Sequence, residues 1–178
     1  MRTQLNTLSR SVKDSIIVDF EAVYQRELPR VYNFFRYQIG DDQLAEDLTA
    51  ATFEKAWRHR ERYRTDLASL STWLFTIARR IAADHYRKAR TTVSLEEESI
   101  VSDRHVVEDT AQRRADFAIL ATLLARLEER ERELVALKYG GGLTNRAIAS
   151  ISGLSESNVS TILYRVTRQL REQWEQEA

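Results

Sequence analysis

The side chains best suited to recognising DNA bases lie in one short stretch near the end of the chain. Asn can pair with adenine, Glu can accept a hydrogen bond from cytosine, and Ser or Thr can serve either partner. Arg165 and Arg168 follow one and two helical turns later and could bind phosphates. The candidate base-contacting residues themselves include no Lys or Arg, yet their side chains can discriminate between bases. The candidate base-contacting residues are Ser155, Glu156, Ser157, Asn158, Ser160 and Thr161.

The residues around this set predict a helix-turn-helix. In the segment TNRAIASISGLSESNVSTIL, residues 144–163, one helix opens on Thr144, Gly153 suits a turn with positive φ, and Ser155 is a good N-cap. DNA-binding units with this spacing place the second helix in the major groove. A plain helical hairpin is the alternative, because short motifs also match by chance. The residues predicted to be buried between the two helices are Ile148, Ile151, Leu154, Val159 and Leu163.

Upstream, the sequence LARLEERERELVALKYGGGL predicts a helix that packs against this unit. Its end is expected at the run from Gly140 to Gly142, and the charged residues from Glu128 to Glu133 are expected to face water. We assign no chemistry to those charges. The apolar residues predicted to pack are Leu124, Leu127, Leu134, Leu137 and Tyr139.

A second candidate surface combines cations with aromatic rings. Residues 60–90, RERYRTDLASLSTWLFTIARRIAADHYRKAR, predict a basic loop that contains Tyr63, followed by a helix that begins near Ser71. On that helix Trp73 is apolar, while His85 lies among several cations. Rings interleaved with cations are typical of surfaces that bind single-stranded nucleic acid by stacking and by charge. The alternative is an ordinary solvated helix face.

A third candidate surface lies on a helix predicted over residues 41–57, DDQLAEDLTAATFEKAW. At 100° per residue, Leu44, Leu48 and Ala51 share one face, which we interpret as core. The other face carries Glu46, Ala50, Phe53 and Trp57, a mixture of charge and rings that suits a docking surface. The two rings could equally pack inside a bundle.

Composition predicts an all-α fold of two small helical domains. The 178 residues include one Pro and five Gly, and helical periodicity recurs on both sides of an acidic, aperiodic stretch. Residues 1–95 carry 16 Lys and Arg against 12 Asp and Glu, whereas residues 96–113 carry 2 against 6. The net neutrality is therefore an average over segments. We expect an N-terminal extension at 1–17, a helical bundle at 18–92, a flexible linker at 93–112 and the helix-turn-helix domain at 113–178.

Several classes of function find no support in the residues. With no Cys and only three scattered His, the sequence predicts neither disulfides nor a Cys/His metal cluster, and we expect no metal and no cofactor. It contains no recognisable catalytic constellation, so we expect neither an enzyme nor a small-molecule substrate. Without an apolar stretch that suits a signal peptide or a membrane span, the predicted location is cytoplasmic.

Taken together, three motifs resemble the extracytoplasmic-function sigma factors, which are two-domain subunits for bacterial transcription initiation. They are YNFFRYQIGDDQLAEDLTAATFEKAW, STWLFTIARRIAADHYR and LTNRAIASISGLSESNVSTILYRVTRQLRE, and the resemblance covers roughly residues 18–173. It implies a protein that binds RNA polymerase core and directs it to promoters, which it opens near the minus-ten element. A free-standing dimeric helix-turn-helix regulator is the alternative, and it would need a palindromic site.

The resemblance also implies roles for individual residues in the first domain. One helix would dock on the clamp helices of the largest polymerase subunit, through Asp42, Glu46, Asp47, Thr49, Phe53 and Trp57. The following loop and helix would open the promoter near minus ten and hold an extruded base. The residues implied there are Arg62, Tyr63, Arg64, Thr65, Asp66, Ser69, Trp73, Arg80, Asp84, His85, Arg87 and Lys88.

In the second domain, the resemblance implies that residues 155–168 recognise the minus-thirty-five element. The implied partners are the clamp helices and flap region of polymerase, double- and single-stranded promoter DNA, and an anti-sigma protein. Where the family usually has basic residues this chain has Ser160 and Ile162, where it usually has an acidic one this chain has Ala147, and Arg80 stands where Asn is common. We therefore expect an atypical upstream sequence preference.

Overall fold

The computed structural model describes residues 20–92 and 111–177. Within these ranges the chain forms seven α-helices and no strand, which confirms the all-α prediction. The predicted N-terminal extension at 1–17 and all but the last two residues of the predicted linker at 93–112 lie outside the described residues. The helices are α1 (Phe20–Ile39), α2 (Asp42–His59), α3 (Leu70–Thr92), α4 (Ala111–Ala125), α5 (Glu129–Val135), α6 (Asn145–Ser152) and α7 (Glu156–Glu177).

Helices α1, α2 and α3 form a bundle around a cluster of phenylalanines. Phe34 and Phe75 are fully buried, with their ring centroids 5.8 Å apart in an edge-to-face arrangement. Such pairs add about 1 kcal/mol beyond the burial of their area. Asp41 begins α2 as its N-cap, because its side chain accepts a hydrogen bond from the Leu44 amide at 2.7 Å. The core therefore fixes which side of each helix faces outward.

The buried face of α2 differs from the prediction. We predicted that Leu44, Leu48 and Ala51 line the core, but all three are only partly buried. The reason is that α1 and α3 meet α2 along a neighbouring stripe, so that the core face is rotated around the helix axis. The residues of α2 that are buried are Ala45, Thr49, Thr52, Phe53 and Ala56.

The segment upstream of the helix-turn-helix also differs from the prediction in its helix boundaries. Instead of one helix there are two, because α4 ends at Ala125 and α5 begins at Glu129. A π-helical segment, Ala136–Gly140, continues α5. The predicted leucines are buried, but Tyr139 is half exposed and does not pack. The wider π-turn rotates the end of the element, which places Gly140 rather than Tyr139 against α1.

The helix-turn-helix forms with the predicted caps. Thr144 accepts a hydrogen bond from the Ala147 amide, and Ser155 accepts one from the Asn158 amide at 3.1 Å. Gly153 has φ of 72°, the left-handed conformation that ends α6. Val159 is fully buried between the two helices. These local signals were enough to place the unit, and they leave one side of the first two turns of α7 exposed.

The two helical regions share one core within the described residues. The buried cluster runs from Val31 of α1 through Leu137 of the π-helical segment to Val166 of α7. The predicted domain boundaries at residues 18, 92 and 113 stay a prediction. The predicted acidic linker would connect α3 to α4.

Candidate functional site

The predicted docking residues of α2 divide into an exposed group and a buried group. Asp42, Asp47 and Trp57 are exposed and Glu46 is half-buried, so that three carboxylates and an indole share the outer side of the helix. The Asp42 Oδ1 atom accepts a hydrogen bond from Arg36 Nε at 2.8 Å. This outer side of α2, which we call the acidic-aromatic face, combines apolar area with negative charge.

The other two predicted docking residues lie inside the bundle. Thr49 is buried, and its hydroxyl donates to the Ala45 carbonyl at 2.6 Å. Phe53 is 5% exposed because Tyr24 covers it, with ring centroids 4.7 Å apart. In this conformation neither side chain is available to touch a partner. Their effect on docking would be indirect, through the position of α2.

Two aromatic residues of α1 extend the acidic-aromatic face, and we did not predict them. Phe20 packs edge-on against Trp57 at 4.8 Å, and Tyr24 lies one turn further along α1 with 40% of its surface exposed. Their spacing of four residues is the signal that could have found them. Nearby, burial raises the pKa of Tyr32 to about 12, with the carboxylates of Asp42 and Glu46 adding to the increase.

The loop between α2 and α3 is an ordered turn. After a 3-10 turn, Arg60–Arg62, the Tyr63 hydroxyl donates to the Ala68 carbonyl at 3.1 Å and closes the loop. The Tyr63 ring lies 5.2 Å from the ring of Trp73, so the loop is tied to α3. Partial burial raises the pKa of the Tyr63 phenol. The predicted residues of this loop therefore form one continuous surface with the start of α3.

Polar contacts fix the tip of the same loop. Arg64 donates two hydrogen bonds to Asp66, at 3.1 and 2.6 Å, and this partner lowers the pKa of the Asp66 carboxyl. Ser69 accepts a hydrogen bond from the Thr72 amide and so caps α3. Between them, the Leu67 side chain is 72% exposed. The predicted loop residues Arg62, Arg64, Thr65, Asp66 and Ser69 are all exposed.

Along α3 the predicted residues lie on one side of the helix and are exposed or half-exposed. Arg80, Arg87 and Lys88 are exposed, and His85 is half-exposed beside the ring of Tyr86. Arg87 also forms an ion pair with Asp84 at 2.9 Å. The loop and this side of α3 together form the surface that we call the basic-aromatic face.

The reading side of α7 is exposed over its first turns. Two hydroxyl groups there are already engaged within the unit, since Ser160 Oγ donates to the Glu156 carbonyl and Thr161 Oγ1 to the Ser157 carbonyl. Asn145 Nδ2 also donates to Ser160 Oγ at 2.8 Å and ties α6 to α7. The exposed predicted residues are Ser155, Glu156, Ser157, Asn158, Ser160, Thr161, Arg165 and Arg168.

The cations of the helix-turn-helix are paired with carboxylates. Arg165 forms an ion pair with Glu131 of α5, and Arg168 lies 3.7 Å from Glu172. Both arginines remain more than half exposed, so that the pairs could exchange for phosphate contacts at modest cost. The exposed side of the helix-turn-helix therefore carries polar side chains that could contact bases, with few cations around them.

Family models match both helical regions. The model for sigma-70 region 2 matches residues 23–92, and the model for sigma-70 region 4 matches residues 117–170. The two occur in this order, and they contain the basic-aromatic face, the helix-turn-helix and, apart from Phe20, the acidic-aromatic face. The chain belongs to the sigma-70 family.

Relatives of this sigma factor carry the extracytoplasmic-function description. It is 29% identical over 154 residues to the ECF RNA polymerase sigma factor BldN of Streptomyces coelicolor, a match that covers 85% of this chain and 58% of BldN. It is also 29% identical to the ECF RNA polymerase sigma factor SigM of Bacillus subtilis, over 85% of this chain and 92% of SigM. We therefore place it in the ECF group.

The fold is also similar to solved structures. The sigma factor RpoE, in a co-crystal structure with the anti-sigma factor NepR from Bartonella quintana, superposes with a TM-score of 0.70 and 25% identity. That match covers 86% of this chain and 95% of RpoE. With the family matches, it makes the chain an initiation factor that binds RNA polymerase and directs it to promoters, rather than a free-standing dimeric regulator.

Two glutamates of this sigma factor have roles that the sequence analysis missed. We expected Glu128 to Glu133 to form a solvated face, but Glu133 accepts a hydrogen bond from Arg79 at 2.7 Å and Glu131 holds Arg165. Their side chains are 18% and 15% exposed. The partners lie 54 and 34 residues away in sequence, so no local pattern indicates them.

Tyr164 is a further residue that the sequence analysis missed. It is 71% exposed on α7, three residues after Thr161 and four before Arg168. That spacing places it on the same side of the helix as both residues.

No helix in the described ranges 20–92 and 111–177 is long and apolar enough to cross a membrane.

Proposed function

We propose that this sigma factor binds polymerase core through the acidic-aromatic face and contacts two promoter elements with the basic-aromatic face and α7. The observation that carries the proposal is the separation of three chemically different exposed surfaces on one small helical fold. Carboxylates with rings suit a basic protein surface, cations with rings suit unpaired bases, and the side chains of α7 suit base edges.

At the acidic-aromatic face, Trp57 and Tyr24 would supply the apolar contact area and Asp47 the charge. Both rings are 40% exposed. Trp57 packs against the ring of Phe20, and Tyr24 packs against the ring of Phe53. A ring that is already ordered loses little entropy on binding, which favours it as an anchor. The clamp helices of the largest polymerase subunit, implied by the resemblance, are the proposed partner.

At the basic-aromatic face, the loop would select and hold a flipped base near minus ten. Flipping costs a few kcal/mol of stacking, which a pocket and backbone contacts must offset. The closed turn at Tyr63 and the exposed Leu67 offer a preformed apolar edge, and Arg80 with Lys88 offers charge for the strand. The double-stranded minus-thirty-five element would be bound by the first turns of α7.

Further parts of the proposal rest on the family alone. One similar solved structure is the sigma factor RpoE in complex with the anti-sigma factor NepR, and a second, of similar fold, is CnrH in complex with the cytosolic domain of CnrY. An anti-sigma protein that covers these surfaces is the proposed inhibitor of this chain too. Because its proposed partners are polymerase and promoter DNA, we place the protein in the cytoplasm and assign it no catalytic activity.

A randomised promoter library tests the proposal on every candidate element at once. Linear DNA randomised over about 50 base pairs is incubated with core polymerase and the sigma factor, and the sequences of opened complexes are recovered. We expect two enriched elements about 25 base pairs apart, as minus-ten and minus-thirty-five contacts require. The proposal fails if enrichment is independent of core, or if it yields one palindrome, as a dimeric regulator would.

Two variants assign the elements to the surfaces. Arg80→Ala should weaken the downstream element alone, and Asn158→Ala should relax the upstream element at one or two positions. A lost bidentate base contact is worth about 1–3 kcal/mol of discrimination. Glu175→Ala, an exposed residue near the end of α7, is the control and should change neither element. If Asn158→Ala altered the downstream element, the assignment would be wrong.

A further inference from the structure

Two hydroxyl groups on the exposed side of α7 have their hydrogens engaged inside the protein. Ser160 Oγ donates to the Glu156 carbonyl at 3.0 Å, and Thr161 Oγ1 donates to the Ser157 carbonyl at 3.0 Å. A hydroxyl has one hydrogen and two lone pairs, so each group keeps only acceptor capacity toward a bound molecule. Turning either hydrogen outward breaks an existing bond, a loss equal to about fivefold in affinity. Both groups are therefore presented to solvent as acceptors.

Asn145, the first residue of α6, holds the Ser160 hydroxyl from the side. Its Nδ2 donates to Ser160 Oγ at 2.8 Å and occupies one lone pair, which leaves the other for a bound molecule. With the amide turned over, Ser160 would donate to the Asn145 Oδ1 atom instead, and its hydrogen would again stay within the protein. In either orientation of the amide, Ser160 offers an acceptor on its exposed side.

Glu156, at the start of α7, adds a group that only accepts. An ionised carboxylate has no hydrogen to donate. Its Oε2 atom lies 3.6 Å from Nε of Arg146 on α6, and its side chain is still 53% exposed. The pair holds the carboxylate on the side of α7 that faces α6 and leaves its oxygens accessible.

These three acceptors are neighbours on the surface of α7. At about 100° per residue, Ser160 lies between Glu156 and Thr161 around the helix axis. The fully buried Val159 lies outside this sector, and so does Asn158, whose amide can both donate and accept. We call Glu156, Ser160 and Thr161 the acceptor row.

The acceptor row matches one half of the groups that base pairs expose in the major groove. The donors there are the exocyclic amines, N6 of adenine and N4 of cytosine, whereas guanine and thymine present acceptors. Each base pair thus has an amine on one strand and a carbonyl on the other. A protein acceptor bonds to the amine but meets a like partial charge at the carbonyl. The row can therefore distinguish amino bases from keto bases.

We propose that the acceptor row selects amino bases, adenine or cytosine, on one strand of the upstream element and excludes guanine and thymine. From the sequence alone, Ser and Thr serve donors and acceptors equally. Here the engaged hydrogens of Ser160 and Thr161 remove one of these two options. This selection rests on the proposed function, in which the first turns of α7 bind the minus-thirty-five element.

The variant Thr161→Val tests the selection, because it keeps the shape of the side chain and replaces the hydroxyl by a methyl group. Complexes opened with core are recovered from the randomised promoter library for the parent and for the variant. We expect one upstream position at which the parent, relative to the variant, favours adenine and cytosine over guanine and thymine on one strand by about fivefold. Thr167→Val is the matched control, since this hydroxyl makes the same type of bond, to the Leu163 carbonyl, further along α7. It should change no position.

Glu156→Gln supplies a second comparison, because an amide of the same shape adds a donor. At the position that it contacts, keto bases should become as acceptable as amino bases. Glu175→Gln, at an exposed residue near the end of α7, should change no position. The readout is a ratio of bases at one position, so a general gain in DNA affinity from the lost charge does not enter it.

Removal of the amine from the DNA tests the same contact from the other side. At the position assigned to Thr161, purine in place of adenine lacks only the N6 amine. On this template the parent should lose about fivefold more binding than Thr161→Val does. The weaker base pair affects both proteins equally, so the difference between them reports the contact. Equal losses in the two proteins would overturn the selection.

Failure of the selection can be told from failure of the proposed function. If an upstream element is enriched with core but its base ratios are the same in Thr161→Val and Glu156→Gln as in the parent, the selection is wrong and the proposed function stands. The same holds if these variants act at a position that requires guanine alone on either strand. If the parent enriches no upstream element, the proposed function fails and the selection fails with it. Circular dichroism checks that each variant is helical, and Ser160→Ala replaces Thr161→Val if that variant does not fold.

Discussion

A change at the buried Glu27 should cost substantial stability. The carboxylate is fully buried and is held by Arg30 and by the Ser71 hydroxyl. Its removal takes a shared partner from Arg30, Arg26 and Ser71, although Arg30 keeps its bonds to Ser71 and to the Gly141 and Gly142 carbonyls. Breaking a buried pair costs about 3–5 kcal/mol, and these remaining bonds favour the lower end. We expect Glu27→Ala to lower the free energy of unfolding by about 3 kcal/mol, measured by urea denaturation. Glu175→Ala should change it by less than about 0.5 kcal/mol, and a similar value for Glu27→Ala would contradict this view.

Tyr32 gives a pH dependence whose sign follows from its surroundings. Burial and the neighbouring carboxylates raise the pKa of the phenol from 10.0 to about 12, so the folded protein favours the protonated form. The resulting stability is complete below pH 10 and is lost as the pH rises through about 12. The difference in unfolding free energy between the parent and Tyr32→Phe should therefore shrink over this interval.

A spectroscopic titration follows the same phenol directly. Absorbance near 295 nm should also show one tyrosine fewer titrating late in Tyr32→Phe. A phenol that ionises near pH 10 at position 32 would contradict the burial described for α1.

At the scale of the element, α7 should bind DNA with a weak dependence on salt. Arg165 and Arg168 are its cations near the predicted base contacts, and each neutralised phosphate contributes about −0.9 to the slope of log affinity against log salt. We expect Arg165→Gln to reduce the magnitude of the slope by about 1 in promoter-binding titrations of the holoenzyme. Arg171→Gln, further along α7, is the matched control. An equal reduction in both variants would show that these phosphate contacts are placed wrongly.

The loop of the basic-aromatic face should depend on the hydrogen bond that the Tyr63 hydroxyl makes across it. Tyr63→Phe removes the bond to the Ala68 carbonyl but keeps the ring against Trp73, so we expect weaker minus-ten discrimination with unchanged core binding. Tyr63→Ala should lose both, with a larger effect. The readout is the rate of promoter opening on matched and mismatched minus-ten sequences. If Tyr63→Phe matched the parent on both templates, the prediction would be wrong, and the other contacts of the loop would be enough to order it.

Over the whole molecule, local signals predicted structure better than contacts between distant segments. The caps at Thr144 and Ser155 and the turn at Gly153 are confirmed, because each depends on neighbours within a few residues. The core face of α2 was wrong because the positions of α1 and α3, which are distant in sequence from parts of α2, decide which side is covered. The partner of Glu133 was missed for the same reason. The docking role of the acidic-aromatic face stays a prediction.

The close approach of Gly140 to α1 illustrates why contacts between distant segments could not be predicted from the sequence. From the sequence alone, the run from Gly140 to Gly142 predicts the end of a helix, which is the usual role of glycine at such a position. The lack of a side chain matters here because another backbone lies within contact distance. Such a requirement belongs to the assembled fold, and a single sequence carries no sign of it.

Binding to sigma-free RNA polymerase core is the measurement that tests the central claim most directly. The variants Asp47→Arg and Trp57→Ala change exposed parts of the acidic-aromatic face, unlike Phe53→Ala, which would disturb the core. Glu175→Arg is the control with the same change of charge as Asp47→Arg. We predict a one-to-one complex for the parent and for the control, and at least about tenfold weaker binding for the two variants, as expected for anchor residues. A parent that does not bind core, or variants that bind as the parent does, would contradict the account.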